Sequence, residues 1–293
     1  MTQGRWWRVL DERHRRGGRP KSWLFLTHPG PSLLVTAVAV AATGVLERHV
    51  PAAATVASLV LVVLPAQFAI GALNDWADAD TDRAHKPFKP LPRGMVSPRL
   101  AMAVAVVALA LSLATAAHWS ARFLLIDVLG AGAGIAYDLG LKRTPLSFLC
   151  WWGGFEAMVL LAMAAAGVGG ALVTLPLSGL LALALLVSNA LPDAAGDQLT
   201  ATTTVPVLLG GAISRRVIAA TVVVAAVYAG AVAVPLRLGA GAAVTALILA
   251  GAASLFATLP LRAVSRAGFP LLALLTAAAA ISWLAALPGS AAL

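Results

Sequence analysis

The sequence is short of charge, of acidic residues above all, and nearly devoid of cysteine. Only 11% of its 293 residues are Asp, Glu, Lys or Arg, whereas 60% are hydrophobic and the mean hydropathy is +0.89. That balance excludes an ordinary soluble globular domain, in which roughly a quarter of residues carry charge. The single cysteine, Cys150, excludes an internal disulfide and reads as a small buried hydrophobe. No apolar core precedes residue 23, which excludes a cleavable signal peptide. His28 and His85 stand isolated in the sequence, so no histidine metal centre is expected.

What the chain has in abundance is long runs of Ala, Leu and Val. About 18 consecutive apolar residues read as a spanning helix, because backbone polar groups in hydrocarbon must be satisfied within the segment. Nine segments meet or approach that length, at about 32–46, 53–73, 100–117, 122–137, 145–166, 173–190, 217–234, 239–259 and 270–287. The expected fold is all-α, a polytopic membrane protein of nine transmembrane helices. Ser97-Pro98 and Thr144-Pro145 read as helix starts, since a hydroxyl caps the first turn and proline fits the first helical position. Pro65 and Pro176 fall inside spans and predict kinks.

The basic residues test this topology independently. Eighteen of the twenty-one Lys and Arg lie in the N-terminal arm or in alternate loops; Arg48, Arg122 and Arg237 fall in the others. By the positive-inside rule the N-terminus is cytoplasmic and the C-terminus outside, in what reads as a bacterial inner membrane. Residues 1–22 form a basic cytoplasmic arm and 23–293 a transmembrane domain. With Trp6, Trp7 and its arginines the arm is either an interfacial helix or a disordered topology signal. The net charge of +9 therefore needs no nucleic-acid partner, only a lipid bilayer.

The scarce acids are not scattered. Seven of twelve, Asp75, Asp78, Asp80, Asp82, Asp138, Asp193 and Asp197, lie at or just beyond the ends of the second, fourth and sixth spans, all on the cytoplasmic side by parity. Asn74, Asp78 and Asp82 are spaced i, i+4, i+8, on one helical face, with Asp75 near its edge. Asn189, Asp193 and Asp197 in "NALPDAAGD" repeat that spacing. Two such ladders suit Mg²⁺, which takes one or two carboxylates and completes its octahedron with water and substrate phosphate. Arg83, Lys86, Lys89 and Arg93 follow the first ladder, and "YDLGLKR" adds Lys142 and Arg143, the cations that a diphosphate site needs.

At these residues the sequence resembles the UbiA superfamily of intramembrane prenyltransferases. "NDWADADTD" matches its N-D-x-x-D-x-x-x-D, "HKPFKPLPRG" is similar to its K-P-x-R-P-L-P-x-G, and "PDAAGD" with "TTVPVLLG" is close to its second aspartate motif. "AYDLGLKRTP" resembles its Tyr/Lys-Arg segment. The resemblance implies a helical bundle around a central cavity, capped by polar cytoplasmic loops. It implies Mg²⁺-dependent transfer of an isoprenoid chain from an allylic diphosphate to a small hydrophobic acceptor, aromatic or quinone-like. Asn74, Asp75, Asp78, Asp82, Asn189, Asp193 and Asp197 are then the metal residues. Asp78, Asp82, Asp193, Asp197 and Lys142 carry catalysis, and Arg83, Lys86, Lys142 and Arg143 grip the diphosphate. Ala190 departs from the family, whose second motif often opens on another Asp. The absence of arginine along Leu33 to Leu46 disfavours a 4-hydroxybenzoate acceptor.

Asp127 and Glu156 fall near mid-span, where an ionisable group is costly and faces the bundle interior. Each either meets the acceptor, helps remove its proton, or is a neutral group satisfied by neighbouring helices. With Tyr137 and Trp152 they form the candidate acceptor or cavity set. Trp151, Trp152 and Phe155 either face an allylic cation or pack and anchor; Trp119 and Trp283 read as anchors at the outer boundary. "GAGAG" at 130–134 lies in an apolar span and reads as close helix packing, not a dinucleotide loop. Two rivals share these features. A UbiA-type membrane terpene cyclase would use the same ionisation without an acceptor. A transporter would need ionisable residues stepping through the full membrane depth, whereas here they gather at one face.

Overall fold

The computed structural model describes residues 23–144, 146–169, 172–199 and 203–287, and the basic arm lies outside them. Among the described residues, regular structure is helical throughout. The long helices are α1 (Pro29–Glu47), α2 (Ala53–Ala77), α3 (Pro98–Trp119), α4 (Ala121–Asp138), α5 (Ser147–Ala165), α6 (Thr174–Ala190), α7 (Val205–Ala233), α8 (Ala240–Thr258) and α9 (Leu261–Ala286). Short helices at Trp23–Leu26, Ala79–His85 and Ala194–Leu199 lie at helix ends. Seven of the long helices are long and apolar enough to cross a membrane. The two others are α6, apolar but 17 residues long, and α4, which carries Arg122 and Asp127.

Sequential helices pack on one another from α1 to α9, most extensively α2 with α3, and α9 returns onto α1 and α6. α1 also packs on α5, so the bundle closes on itself. Lipid tails are as apolar as leucine, so helix association rests on close packing rather than on removal of surface from water. The glycines show it. A Cβ on Gly130 would stand 2.7 Å from the Ala157 Cβ of α5, and one on Gly134 would meet Ile70 of α2 at 2.5 Å. Gly132, between them, faces open space. "GAGAG" is thus a packing device at its two ends.

Several boundaries differ from expectation. α7 begins at Val205 and α9 at Leu261, far ahead of the apolar windows, because Arg215, Arg216, Arg262 and Arg266 interrupt the apolar run without breaking the helix. Arg215 donates to the carbonyls of Ala257 (2.7 Å) and Leu259 (2.8 Å), satisfying the C-terminal end of α8. Gly210, with φ 76°, supplies a break near the start of α7. Ser97 caps α3 by accepting from the Leu100 amide, as expected. α5 starts at Ser147, later than predicted; Pro145 lies outside the described residues. Pro176 sits in the first turn of α6, where its missing N–H removes no helical bond, so the expected kink has no cause there. Pro65 does lie inside α2 and Pro270 inside α9. Trp283 is buried against Tyr228 rather than anchored at a boundary.

The segment after Ala79–His85 is seated by Leu91 and Val96, both buried with Leu26, Leu73 and Ala101. That apolar foot folds residues 86–97 back over the ends of α2 and α3 and fixes where Lys86 and Lys89 can reach.

Candidate active site

The first ladder straddles a helix break. α2 runs through Asn74 and Asp75 to Ala77, Asp78 has non-helical angles (φ −92°, ψ 1°), and helix resumes at Ala79. Backbone bonds from the Asp78 amide to the Asn74 carbonyl (2.9 Å) and from Asp82 to Asp78 (2.8 Å) carry the four-residue step across the break. The second ladder is built alike: α6 ends at Ala190, a turn carries Asp193, and the Asp197 amide donates to the Asp193 carbonyl at 2.9 Å.

Lysines interleave the carboxylates. Lys142, from the turn after α4, is ion-paired with Asp78. Lys86 pairs with Asp193 at 2.8 Å and so ties the loop after the first ladder to the second. Lys89 lies between Asp75 (2.8 Å) and Asp82 (2.6 Å); its side chain is 16% exposed and theirs 3% and 6%. Burial alone would lower the Lys89 pKa, but the two carboxylates reverse that and hold it above the usual lysine value. Burial pushes the Asp82 carboxyl up, against the opposing pull of Lys89. Asn74 donates its Nδ2–H to Asp138 Oδ1 at 2.7 Å. The Tyr137 hydroxyl lies within electrostatic range of Asp78, Asp138 and Asp197, so residues of both ladders share one neighbourhood.

Below Tyr137 the polar mouth gives way to rings. Trp151 stands edge-on to Tyr137 and to Phe269 of α9 and stacks on Phe155, each with centroids 6.2 Å apart. An amphipathic ligand would find charge at one end of this arrangement and aromatic faces immediately beneath it.

A profile of the UbiA prenyltransferase family matches residues 32–268. The chain belongs to that family. It is 28% identical over 202 residues to a digeranylgeranylglyceryl phosphate synthase of Pyrococcus abyssi, covering 65% of this chain and 69% of that protein. It is 32% identical over 136 residues to a decaprenyl-phosphate phosphoribosyltransferase of Mycobacterium tuberculosis, covering 45% and 43%. Among solved structures, a UbiA homologue from Archaeoglobus fulgidus bound to DMAPP and Mg²⁺ superposes with a TM-score of 0.71 at 18% identity, over 91% of this chain and all of that one. A structure of digeranylgeranylglyceryl phosphate synthase gives 0.68 at 17% identity, over 92% and 98%. At these identities the solved structures establish a shared fold.

Within this UbiA-family fold the predicted residues divide. Asn74, Asp78, Asp82, Asp193, Asp197, Lys86, Lys142 and Tyr137 are brought into one polar region. Asp75 is buried and turned to Lys89 and His28, whose Nε2 lies 3.1 Å from Asp75 Oδ1; His28 is therefore not isolated in space. Arg83 pairs with the exposed Asp80 at the surface, and Arg143 is exposed. Asn189 lies on the last turn of α6. Among the described residues, no three His, Cys, Asp or Glu side chains converge into a ready-made metal cage.

The mid-span acids sit elsewhere. The Ser112 hydroxyl is 2.7 Å from both the Val62 carbonyl and Asp127 Oδ2. A hydroxyl carries one proton and the carbonyl only accepts, so both bonds form only when Asp127 supplies the other hydrogen. Glu156 accepts from Ser178 (2.6 Å) and Thr174 (3.3 Å), while Trp152 Nε1 donates to Ser178 (3.2 Å) and the Leu175 carbonyl (3.1 Å). These contacts tie α3 to α4 and α5 to α6. Sequence reasoning left His28 and Phe269 without a role at the site, and gave Asp138 only a place among the clustered acids and Lys89 one among the diphosphate cations. Asp138 follows Tyr137 directly, and that adjacency was the available signal. The others are brought in by folding across long separations.

Proposed function

We propose that this chain transfers a prenyl group from an allylic diphosphate to a small hydrophobic acceptor, with Mg²⁺ as its metal. The observation that carries the reading is Lys86 bridging to Asp193: two acid-bearing helix ends open on one mouth. The residues fit Mg²⁺ although no cage of three acids exists among the described residues, because that ion takes few protein carboxylates and fills its shell with water and phosphate. Asp138 Oδ2, buried and without a hydrogen-bond partner among the described residues, is the kind of oxygen such a shell would satisfy. Asn74, Asp78, Asp82, Asn189, Asp193 and Asp197 would hold the metal, which when bound supplies positive charge against the diphosphate leaving group. Asp75, which faces both Lys89 and His28, would act behind these ligands.

The allylic C–O bond breaks to give a delocalised cation and diphosphate, and the acceptor closes the new bond at carbon as it loses a proton. Lys86 and Lys142, each now resting on a carboxylate, move to phosphate oxygens and stabilise the charge as it grows. Arg143 and Arg83 join them at the rim. Tyr137, Trp151, Phe155 and Phe269 line the start of the apolar slot, where ring faces stabilise the cation and keep water from it. Trp152, Asp127 and Glu156, which bond across neighbouring helices away from the polar mouth, would serve the acceptor deeper in the bundle. The acceptor is aromatic or quinone-like, or else a lipid, a reading that relatives named for digeranylgeranylglyceryl phosphate and decaprenyl phosphate support. All nine long helices span the membrane, with the N-terminus and the active site on the cytoplasmic side; the charge asymmetry of the loops supports this.

The test is turnover of purified protein with a panel of prenyl diphosphates and extracted lipids and phenols, with and without Mg²⁺, products being identified by mass. Asp78→Ala and Asp193→Ala should each abolish it. Unchanged turnover removes that residue from the role, and cyclic hydrocarbon formed without acceptor replaces transfer by cyclisation.

A further inference from the structure

We infer that Asp138 is a positioning residue of the metal site, orienting Asn74 and offering its second oxygen to the ion's water shell; this rests on the function proposed above. Asp138 closes α4, is 3% exposed, and accepts from Asn74 Nδ2 at 2.7 Å through Oδ1. A carboxylate only accepts, so the amide nitrogen of Asn74 must face Asp138 and its carbonyl oxygen is left for another partner. Without that bond the carboxamide is free to present either end, and only one end ligates a cation. Asp138 Oδ2 is buried and, among the described residues, has no hydrogen-bond partner. Buried carboxylate oxygens in folded proteins are rarely left so, and the charged groups around this one include Asp78 and Lys142. A metal-bound water is a donor, and it fits an acceptor-only oxygen in that company. The arrangement is that of a residue behind the ligands, fixing the direction of one and bonding the solvent of the ion.

The experiment measures Mn²⁺ binding to the full chain in detergent, in the presence of inorganic diphosphate, by the loss of the free-ion electron paramagnetic resonance signal. Asp138→Ala should weaken Mn²⁺ by about 10- to 100-fold, the usual effect of removing such a partner, while the unfolding temperature stays near that of the parent. Asp138→Asn keeps an acceptor for Asn74 but loses the charge, and should fall between the two; it also serves if the alanine variant fails to fold. Asp80→Ala, at a surface acid whose side chain is 91% exposed, should bind as the parent does. Parent-like Mn²⁺ affinity in both Asp138 variants overturns the inference alone. Failure of the unmodified chain to bind Mn²⁺ with diphosphate overturns the metal reading itself.

Discussion

Lys89 shows how a single residue can look like a ligand in sequence and be a clamp in three dimensions. Its neighbours in "HKPFKPLPRG" suggest a phosphate grip, yet its ammonium is held between two buried carboxylates and has little left to offer a substrate. Removing one partner of a buried ion pair leaves uncompensated charge, typically at a cost of about 3–5 kcal/mol. Lys89→Met should therefore lower the thermal unfolding temperature in detergent sharply, and a change indistinguishable from that of a surface lysine would refute the clamp. The pH dependence follows from sign. The Lys89 pKa is raised above its ordinary 10.5, so its stabilisation is complete below that value and is lost only as the pH climbs through the higher folded one. Asp82 takes its proton above the ordinary 3.8, so charge across the clamp is lost in acid before an exposed aspartate would titrate. The gap in unfolding temperature between Lys89→Met and the parent should thus be flat between pH 7 and 9 and shrink in acid. A gap that varies between pH 7 and 9 would assign the effect to some other group.

Helices were legible wherever an apolar run stood alone, and misjudged wherever a helix continued through charge. α9 carries its arginines inside the first two turns and α7 about three turns in, and no hydropathy window distinguishes a charged stretch of helix from a loop. The two acid ladders were legible because a step of four survives even the break at Asp78. The partners of those acids were not. Which lysine meets which carboxylate depends on how residues 86–97 fold back on Leu91 and Val96, and His28 meets Asp75 across 47 positions. The glycine pattern is the element-scale feature most open to test. Gly130 faces the Ala157 Cβ too closely for any side chain, whereas Gly132 faces nothing. Gly130→Val should force α4 from α5 and cost about 1–3 kcal/mol, as overpacking of a tight contact does. Gly132→Val, seen by unfolding in the same detergent, should cost only the small difference in helix propensity. Equal effects at both positions would mean that the close approach of α4 and α5 is not what the glycines serve.

For the molecule as a whole, the decisive property is that the polar ends of α2, α4 and α6 open together while the bundle beneath them is apolar. An amphipathic donor dissolved in a bilayer can be held by its head only if that mouth sits at the boundary between lipid and water. The side on which it opens decides which pool of diphosphates it meets, and the function proposed above puts that side in the cytoplasm, the side that the charge asymmetry of the loops predicts. The chain is convenient for testing this, because Cys150→Ala removes its only thiol and that residue is buried. In that background Asp80→Cys places a thiol just beyond the first ladder, at a side chain 91% exposed, and Val50→Cys places one at the other end of α2, at a residue 88% exposed. A membrane-impermeant maleimide should label the position-50 variant in right-side-out vesicles and the position-80 variant only in inverted ones. The opposite pattern would put the mouth outside the cell, where the donor would have to be exported to reach it. Labelling of both from one side would mean that α2, 25 residues long and the carrier of the first ladder, does not cross the bilayer. The diphosphate head would then have no interface at which to sit above its apolar slot.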